Sequence, residues 1–285
     1  MYKPFIFYCS PAGTTRHIAE VIEKKLAGCG RRATVCVLGK EKQKLSAIMR
    51  EIEAAKEQVC LFIGSPVYSS HALPLVMDFI ARLPQHRQAY AVPFATWGGA
   101  TSGLALAEMG EALQAREYNL AGAARIMAVH SLMWEADNPV GAGHPDADDD
   151  RLIENLVAAV EHNLETPEPL ELPGQALCYQ PEAAAAKMRK LNLEIARGIL
   201  PPRLVNEELC NQCGVCVDQC PVAALTLDPY PVYADHCILC FNCMRCCPEK
   251  AIEADLSPVH ERVRERAGSY REDPLSAVFL PGDSR

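Results

Sequence analysis

Between Cys210 and Pro248 the chain spells one cysteine spacing twice, and few folds can accommodate it. The first run reads Cys210-x2-Cys213-x2-Cys216-x3-Cys220-Pro221, and the second reads Cys237-x2-Cys240-x2-Cys243-x3-Cys247-Pro248. Cys237 follows Cys210 by 27 residues, and the same offset carries Val205 onto Val232 and Ala224 onto Ala251. A whole supersecondary unit is therefore repeated, not the cysteines alone. Three cysteines at three-residue steps wrap a backbone around a compact inorganic core, and the proline turns the fourth away. Tetrahedral zinc asks for four ligands, typically in two separated pairs, and accounts poorly for three even steps followed by Cys-Pro. A disulfide framework would need an oxidising, secreted setting of which the rest of the chain gives no sign. Cys246 adjoins Cys247 and could compete with it; the repeat aligns Cys246 with Gln219, whereas Cys247-Pro248 aligns with Cys220-Pro221.

This spacing resembles the bacterial two-cluster ferredoxins over residues 203–256. The resemblance implies a small α+β module with two [4Fe-4S] clusters and crossed ligands. One cluster would take Cys210, Cys213, Cys216 and Cys247, and the other Cys237, Cys240, Cys243 and Cys220. Residues 222–227 and 232–235 should form a hairpin about Pro229-Tyr230-Pro231, and 251–255 should pair with 204–208.

With 285 residues there is room for one full α/β domain besides this module. A net charge of -8, before any anionic cofactor is added, disfavours nucleic acid and anionic membranes and suits a cationic redox protein. The run Met1-Tyr2-Lys3-Pro4-Phe5-Ile6-Phe7-Tyr8 passes straight into a Gly/Thr turn and reads as a strand, not a signal peptide. No apolar run approaches the ~20 residues that span a bilayer. A cytoplasmic protein without a membrane span is expected.

The N-terminal strand, residues 3–9, leads through Ser10-Pro11-Ala12-Gly13-Thr14-Thr15 into a helical pattern with Ile18, Val21, Ile22 and Leu26 on one face. A strand, a hydroxyl-rich loop and a helix start make an anion site, because free N–H groups and the helix dipole point at the loop. Alternatively, Thr14 or Thr15 simply caps the helix. No Gly-Lys-Ser/Thr follows, so it is no nucleotide-triphosphate loop. Strands are further expected at 33–38, 58–63, 89–95 and 123–129, and helices at 43–55, 73–81, 102–117 and 148–164. This alternation predicts a doubly wound parallel sheet of five strands, which binds ligands beyond the carboxyl ends of its strands.

The string Ile6-Phe7-Tyr8-x-Ser10-x2-Gly13-x-Thr15-x3-Ala19-x2-Ile22 resembles the FMN-phosphate signature of the flavodoxins, and the likeness extends over residues 1–165. It implies FMN, with Ser10, Ala12, Gly13, Thr14 and Thr15 at the phosphate. Ser65-Pro66-Val67-Tyr68 and Thr96-Trp97-Gly98-Gly99 resemble the ring-cradling loops, with Tyr68 and Trp97 as stacking faces. His71 lies near these loops, where a surface or capping role is the plainer reading. The sequence lacks a Gly-x-Gly-x-x-Gly after a strand, hence a separate nicotinamide-dinucleotide fold.

Residues 166–202 read as a Pro-bearing linker and one helix from Pro181, whose Ala184, Met188, Leu191 and Ile195 share a face and would brace the two domains. Residues 257–285 read as a peripheral tail. Residues 1–202 are therefore expected to fold alone. Cys36 and Cys60 read as small buried hydrophobes. The whole resembles the flavodoxin–ferredoxin fusions of anaerobes. That implies an electron-transfer iron-sulfur flavoprotein working with a redox protein partner, a ferredoxin or a reductase or oxidase. A flavin-dependent reductase of a small molecule, and a redox sensor or adapter subunit, are the alternatives. No catalytic residue, oligomeric state or electron donor is readable.

Overall fold

The computed structural model describes residues 2–86 and 88–282. Strand and helix alternate as β1 (Tyr2–Tyr8), α1 (Thr14–Gly28), β2 (Thr34–Val37), α2 (Lys42–Ala54) and β3 (Gln58–Tyr68). A short β4 (His71–Ala72), α3 (Pro74–Ala81), β5 (Ala89–Trp97), α4 (Ala105–Ala115), a short β6 (Asn119–Leu120), β7 (Ala123–Met127) and α5 (Ala147–Leu164) follow. Five strands pair in parallel in the order β2-β1-β3-β5-β7. Counting those five alone the order is 2-1-3-4-5, the flavodoxin-like arrangement of a doubly wound sheet.

Alternation along the strands builds both faces. Phe5 and Phe7 of β1 and Leu61 and Ile63 of β3 pack against Ile52 of α2, Phe79 of α3 and Leu106 of α4. Ile6 and Tyr8, with Phe62, face Ile18, Ile22 and Leu26 of α1 and Leu156 and Val160 of α5. Helices on both faces explain why β3 and β5 read as nearly unbroken apolar runs. Cys36 and Cys60 are fully buried in these layers as small hydrophobes.

Residues 166–180 are not a free linker. Leu172 and Leu177 are buried in the core, Leu172 N donates to Leu120 O at 2.7 Å, and Gly174–Leu177 forms a 3-10 turn. The single helix expected from Pro181 is two, α6 (Glu182–Met188) and α7 (Leu193–Ile199), because Asn192 caps the second by accepting from Ile195 N at 2.8 Å. The pair still joins both parts. Met188 O meets His71 Nε2 at 3.0 Å, and Arg197 donates to Asp235 O and Cys237 O at 2.6 and 3.0 Å.

The cysteine repeat folds as β8 (Leu204–Val205), α8 (Val215–Asp218), β9 (Leu225–Leu227), β10 (Pro231–Tyr233), α9 (Asn242–Arg245) and β11 (Ile252–Glu253). The 27-residue offset relates β8 to β10, α8 to α9 and β9 to β11. Both expected pairings form: β9 with β10, and β11 with β8, antiparallel.

Residues 257–285, expected as a peripheral tail, are instead structural over their described part. α10 (Ser257–Tyr270) buries Val259 and Val263 against Leu132, Leu239 and Phe241. β12 (Ala277–Phe279) adds an antiparallel edge strand to β7 and buries Ala277 and Phe279. The sheet's parallel edge is thereby covered. Removing residues 203–285 would strip that strand, so residues 1–202 lack a complete sheet. No helix among the described residues is long and apolar enough to cross a membrane.

Candidate functional site

The cysteine module sits over the carboxyl ends of the strands, where such sheets bind ligands. Lys40 Nζ, after β2, donates to Asp218 O at 2.9 Å. Arg245 of α9 donates to Pro11 O, after β1, at 3.4 Å and to Ser131 O, and lies 4.7 Å over the Trp134 ring. His260 Nε2 meets Leu132 O at 2.8 Å. A β-carbon on Gly39 would stand 1.9 Å from Pro221 O, so only glycine, at φ +87°, permits this approach.

Beneath the module the loop from Ser10 to Thr15 opens α1. Gly13, at φ 95°, is the residue before the helix, and no side chain caps it. The simple capping role for Thr14 or Thr15 is thus not what the structure shows. Ser10 Oγ accepts from Arg16 N at 2.9 Å, which ties the loop shut. Thr15 Oγ1 and Thr96 Oγ1, both buried, meet at 2.7 Å and join the ends of the first and third crossovers.

Two adjoining spaces lie between sheet and module. The smaller, a cavity of about 30 Å³, is lined by Ala12, Thr14, Thr15, Pro66, Val67, Tyr68, Thr96, Trp97 and Gly98, together with Ala128 to Ser131. The larger, a cavity of about 220 Å³, shares Val67, Tyr68, Gly98, His130 and Ser131 with it and is closed on the far side by α7, α10, Ile238 and Leu239. Most residues expected at a flavin thus meet in one cleft. Ser10, Gly13, Ser65 and Gly99 do not line it. Ser65 is fully buried, donates to Pro66 O and accepts from Leu73 N at 2.9 Å, which shapes the loop from behind. Gly99, at φ 74°, shapes its own turn. Trp97 is 2% exposed, and its Nε1–H is fixed by Leu275 O at 3.0 Å, a tail contact that the sequence did not announce. His71 lines neither space; Nδ1 meets Glu108 at 2.5 Å.

The Tyr68 hydroxyl is buried and makes no hydrogen bond; the Ser131 hydroxyl nearby does not reach bonding geometry. Burial first, then the Cys240 and Cys9 thiols, push its pKa far above the ordinary phenol range. The sequence missed Ala128, Val129, His130 and Ser131, which follow β7 with no motif to mark them. Their place after the fifth parallel strand was the available signal.

Among the cysteines, Cys210, Cys213, Cys216 and Cys247 line one space. Cys220 lies near Cys240: burial pushes the Cys240 thiol up to about 12, and Cys243, Cys237 and Cys220 push the same way. Such crowding of thiols makes an anionic quartet costly without a cationic core between them. Cys220 Sγ accepts from Ala224 N at 3.2 Å, and its repeat mate Cys247 Sγ from Ala251 N at 3.3 Å. Cys246 does not line that space, and its thiol faces Cys243 O at 3.6 Å. Arg203 Nη1 donates to Cys237 Sγ at 3.2 Å.

Residues 204–226 match a family model described as a 4Fe-4S binding domain. No curated protein matches the sequence significantly. Among solved structures the chain is similar to the rubredoxin oxygen:oxidoreductase of the anaerobe Desulfovibrio gigas, at 20% identity and TM-score 0.44 over 57% of this chain and 36% of that one. It therefore spans little more than a third of that enzyme. It is also similar to a flavodoxin from the domain Archaea, at 18% identity and TM-score 0.43 over 58% of this chain and 100% of that one. A Streptococcus pneumonia flavodoxin gives 12% identity and TM-score 0.42 over 57% and 99%. The chain joins a doubly wound sheet in the order 2-1-3-4-5 to a C-terminal segment that matches a 4Fe-4S binding domain.

Proposed function

We propose that the protein is an electron-transfer iron-sulfur flavoprotein in which FMN exchanges electrons with two [4Fe-4S] clusters and an external redox protein. The observation that carries this reading is one shared wall. Ile238 and Leu239, inside the Cys237–Cys240 loop, close the same space as Tyr68 and Gly98. Any group held at those loops stands against the inner cysteine quartet. Bound FMN would take electrons in pairs or singly, while each cluster exchanges one.

The residues present fit FMN on two counts. The start of α1 offers the Thr14 and Thr15 N–H groups, Ser10 Oγ taking only that of Arg16, and the buried Tyr68 hydroxyl lacks a partner among the described residues. Thr14, Thr15 and Ala12 would hold the phosphate, and Tyr68, Thr96 and Gly98 the remainder of the cleft. The Cys210, Cys213, Cys216 and Cys247 quartet, with Cys213 exposed, faces outward and is the point of entry. The Arg203 guanidinium beside Cys237 would favour the more anionic, reduced form of a cluster held there.

Thr15→Ala tests the phosphate loop. It removes a hydroxyl donor to a charged group, worth about 1.5–3 kcal/mol, so FMN affinity should fall roughly tenfold or more. Riboflavin, without the phosphate, should bind nearly unchanged. Equal weakening of both flavins in a fluorescence titration would show that the loop only shapes the fold.

The routing test is anaerobic stopped-flow on the full-length chain at the flavin and cluster bands. Reduced ferredoxin should reduce the clusters first and the flavin through them, while NADH or NADPH alone reduces the flavin slowly. Cys237→Ala should retain FMN yet lose the ferredoxin-linked flavin phase. Rapid, saturable flavin reduction by a nicotinamide nucleotide in that variant would sink the carrier reading and favour a self-contained reductase.

A further inference from the structure

The larger space extends well beyond the residues of the smaller cleft. Only its near wall is common to the smaller cleft, and the phosphate-loop residues Ala12, Thr14 and Thr15 are not part of it. Its far wall comes from elements outside the doubly wound sheet, with Ile195 and Ile199 on α7 and Val259, Val263 and Arg266 on α10. The roof is lightly held: α7 has no buried residue, and Ile195 and Ile199 are 43% and 50% exposed. A solute can therefore reach the chamber without unfolding the sheet.

The polar groups facing this apolar chamber favour one sign of charge. Arg266 reaches Ser70 Oγ at 3.4 Å and lies 5.6 Å over Tyr270, and it makes no ion pair among the described residues. His130 Nδ1 accepts from Leu132 N at 3.2 Å, which leaves Nε2 as the protonated nitrogen, without a partner among the described residues. Burial, then His260 and Arg266, push the His130 pKa down to about 4, so the ring stays neutral at pH 7. Among the described residues no carboxylate lines the chamber. A planar guanidinium with unused donors, beside a neutral N–H and apolar walls, recognises a carboxylate or sulfonate and excludes cations.

We propose that this chamber binds a small organic anion with an apolar body, its charged group on Arg266 and its body toward the wall made by Tyr68 and Gly98. The inference rests on the reading above that FMN lies along that shared wall. It makes the chamber a ligand site facing the flavin, and so gives the protein a small molecule to act on besides its protein partner.

The test is anaerobic isothermal titration of the full-length, FMN-loaded protein with trans-cinnamate and its neutral analogue cinnamamide, recording flavin content and visible spectrum on each sample. Cinnamate should bind one per chain and perturb the flavin spectrum, and cinnamamide should bind at least about tenfold more weakly. Arg266→Met should lower cinnamate to the cinnamamide level and leave cinnamamide unchanged. Ile195→Trp, which fills the chamber, should remove both while retaining FMN. Probe binding only after FMN is stripped, or FMN loss in Ile195→Trp with folding intact, would show the chamber to be the flavin's own seat and overturn the proposal. Equal affinity for both probes, no effect of Arg266→Met, or no binding at all would overturn it too. Failure of the wild-type chain to take up FMN would overturn the flavin reading itself, whereas retained FMN without probe binding overturns only this inference.

Discussion

Replacing Glu272 by alanine should cost about 3–5 kcal/mol of folding stability, the usual consequence of breaking a buried pair from one side. The Glu272 carboxylate and the Arg125 guanidinium form a contact in which the two side chains are only 8% and 6% exposed. The carboxylate also accepts from Ser102 N at 2.7 Å, Thr101 Oγ1 at 2.7 Å and Gln180 Nε2 at 2.9 Å. Without it, Arg125 of β7 keeps Pro274 O as an acceptor and an Nε that already lacks a partner. The charge would stay buried and largely unpaired, while Ser102 N, Ser102 Oγ, Thr101 Oγ1 and Gln180 Nε2 lose their acceptor. Because Thr101 and Ser102 continue the Gly98-Gly99 turn, the same substitution should loosen the cleft and weaken FMN. The exposed Glu182–Arg189 pair is the control, where loss of the carboxylate should leave stability unchanged. The double variant Arg125→Met, Glu272→Leu should recover most of the loss, since apolar replacement of a whole buried pair is often neutral. Chemical denaturation reads all three. A Glu272→Ala protein within about 1 kcal/mol of the parent, the range of a surface pair, would show that Glu272 is not the tail's anchor.

The tail explains what the sequence could and could not disclose. Alternating strands and amphipathic helices are local patterns, so β1 to α5 were legible from periodicity, and the repeated cysteines marked both halves of the module. β12 is three residues long, between Pro274 and Pro281, and nothing local distinguishes it from a loop. Its role depends on contacts across more than a hundred residues, such as Trp97 with Leu275 and Arg125 with Glu272. The same distance hid the fate of Trp97. β5 alternation puts its ring on the Ala95 side, where the tail reaches it, so its N–H is fixed there while the residue still borders the cleft. Residues 182–199 kept a helical pattern across Asn192, and only the cap geometry shows the break between α6 and α7. Tyr68 was readable by its place after a strand, but its position against Cys240 follows from how the module docks.

Cys220→Ala should remove the cluster of the second cysteine run, not that of its own. The fourth cysteine of each run follows its helix and is turned by proline, so its sulfur leaves the trio that precedes it. In the structure Cys247 lines the space of Cys210, Cys213 and Cys216, and Cys220 is felt by Cys240 beside Cys237 and Cys243. Iron and acid-labile sulfide should therefore fall from about eight each to about four per chain, with FMN retained. Which cluster goes is read by electron paramagnetic resonance of the reduced protein. The Cys220→Ala spectrum should match that of Cys240→Ala and differ from that of Cys213→Ala, and Cys247→Ala should match Cys213→Ala. Cys246→Ala should leave both clusters, since its thiol faces a backbone carbonyl. A Cys220→Ala spectrum that matched Cys213→Ala would mean each run binds its own cluster. Loss of a cluster in Cys246→Ala, with Cys247→Ala harmless, would move the ligand by one residue. The crossed outcome has a kinetic consequence as well. Ile238 and Leu239 place the Cys237 quartet against the flavin cleft, so Cys220→Ala should slow ferredoxin-linked flavin reduction as much as Cys240→Ala does, although Cys220 lies in the other run.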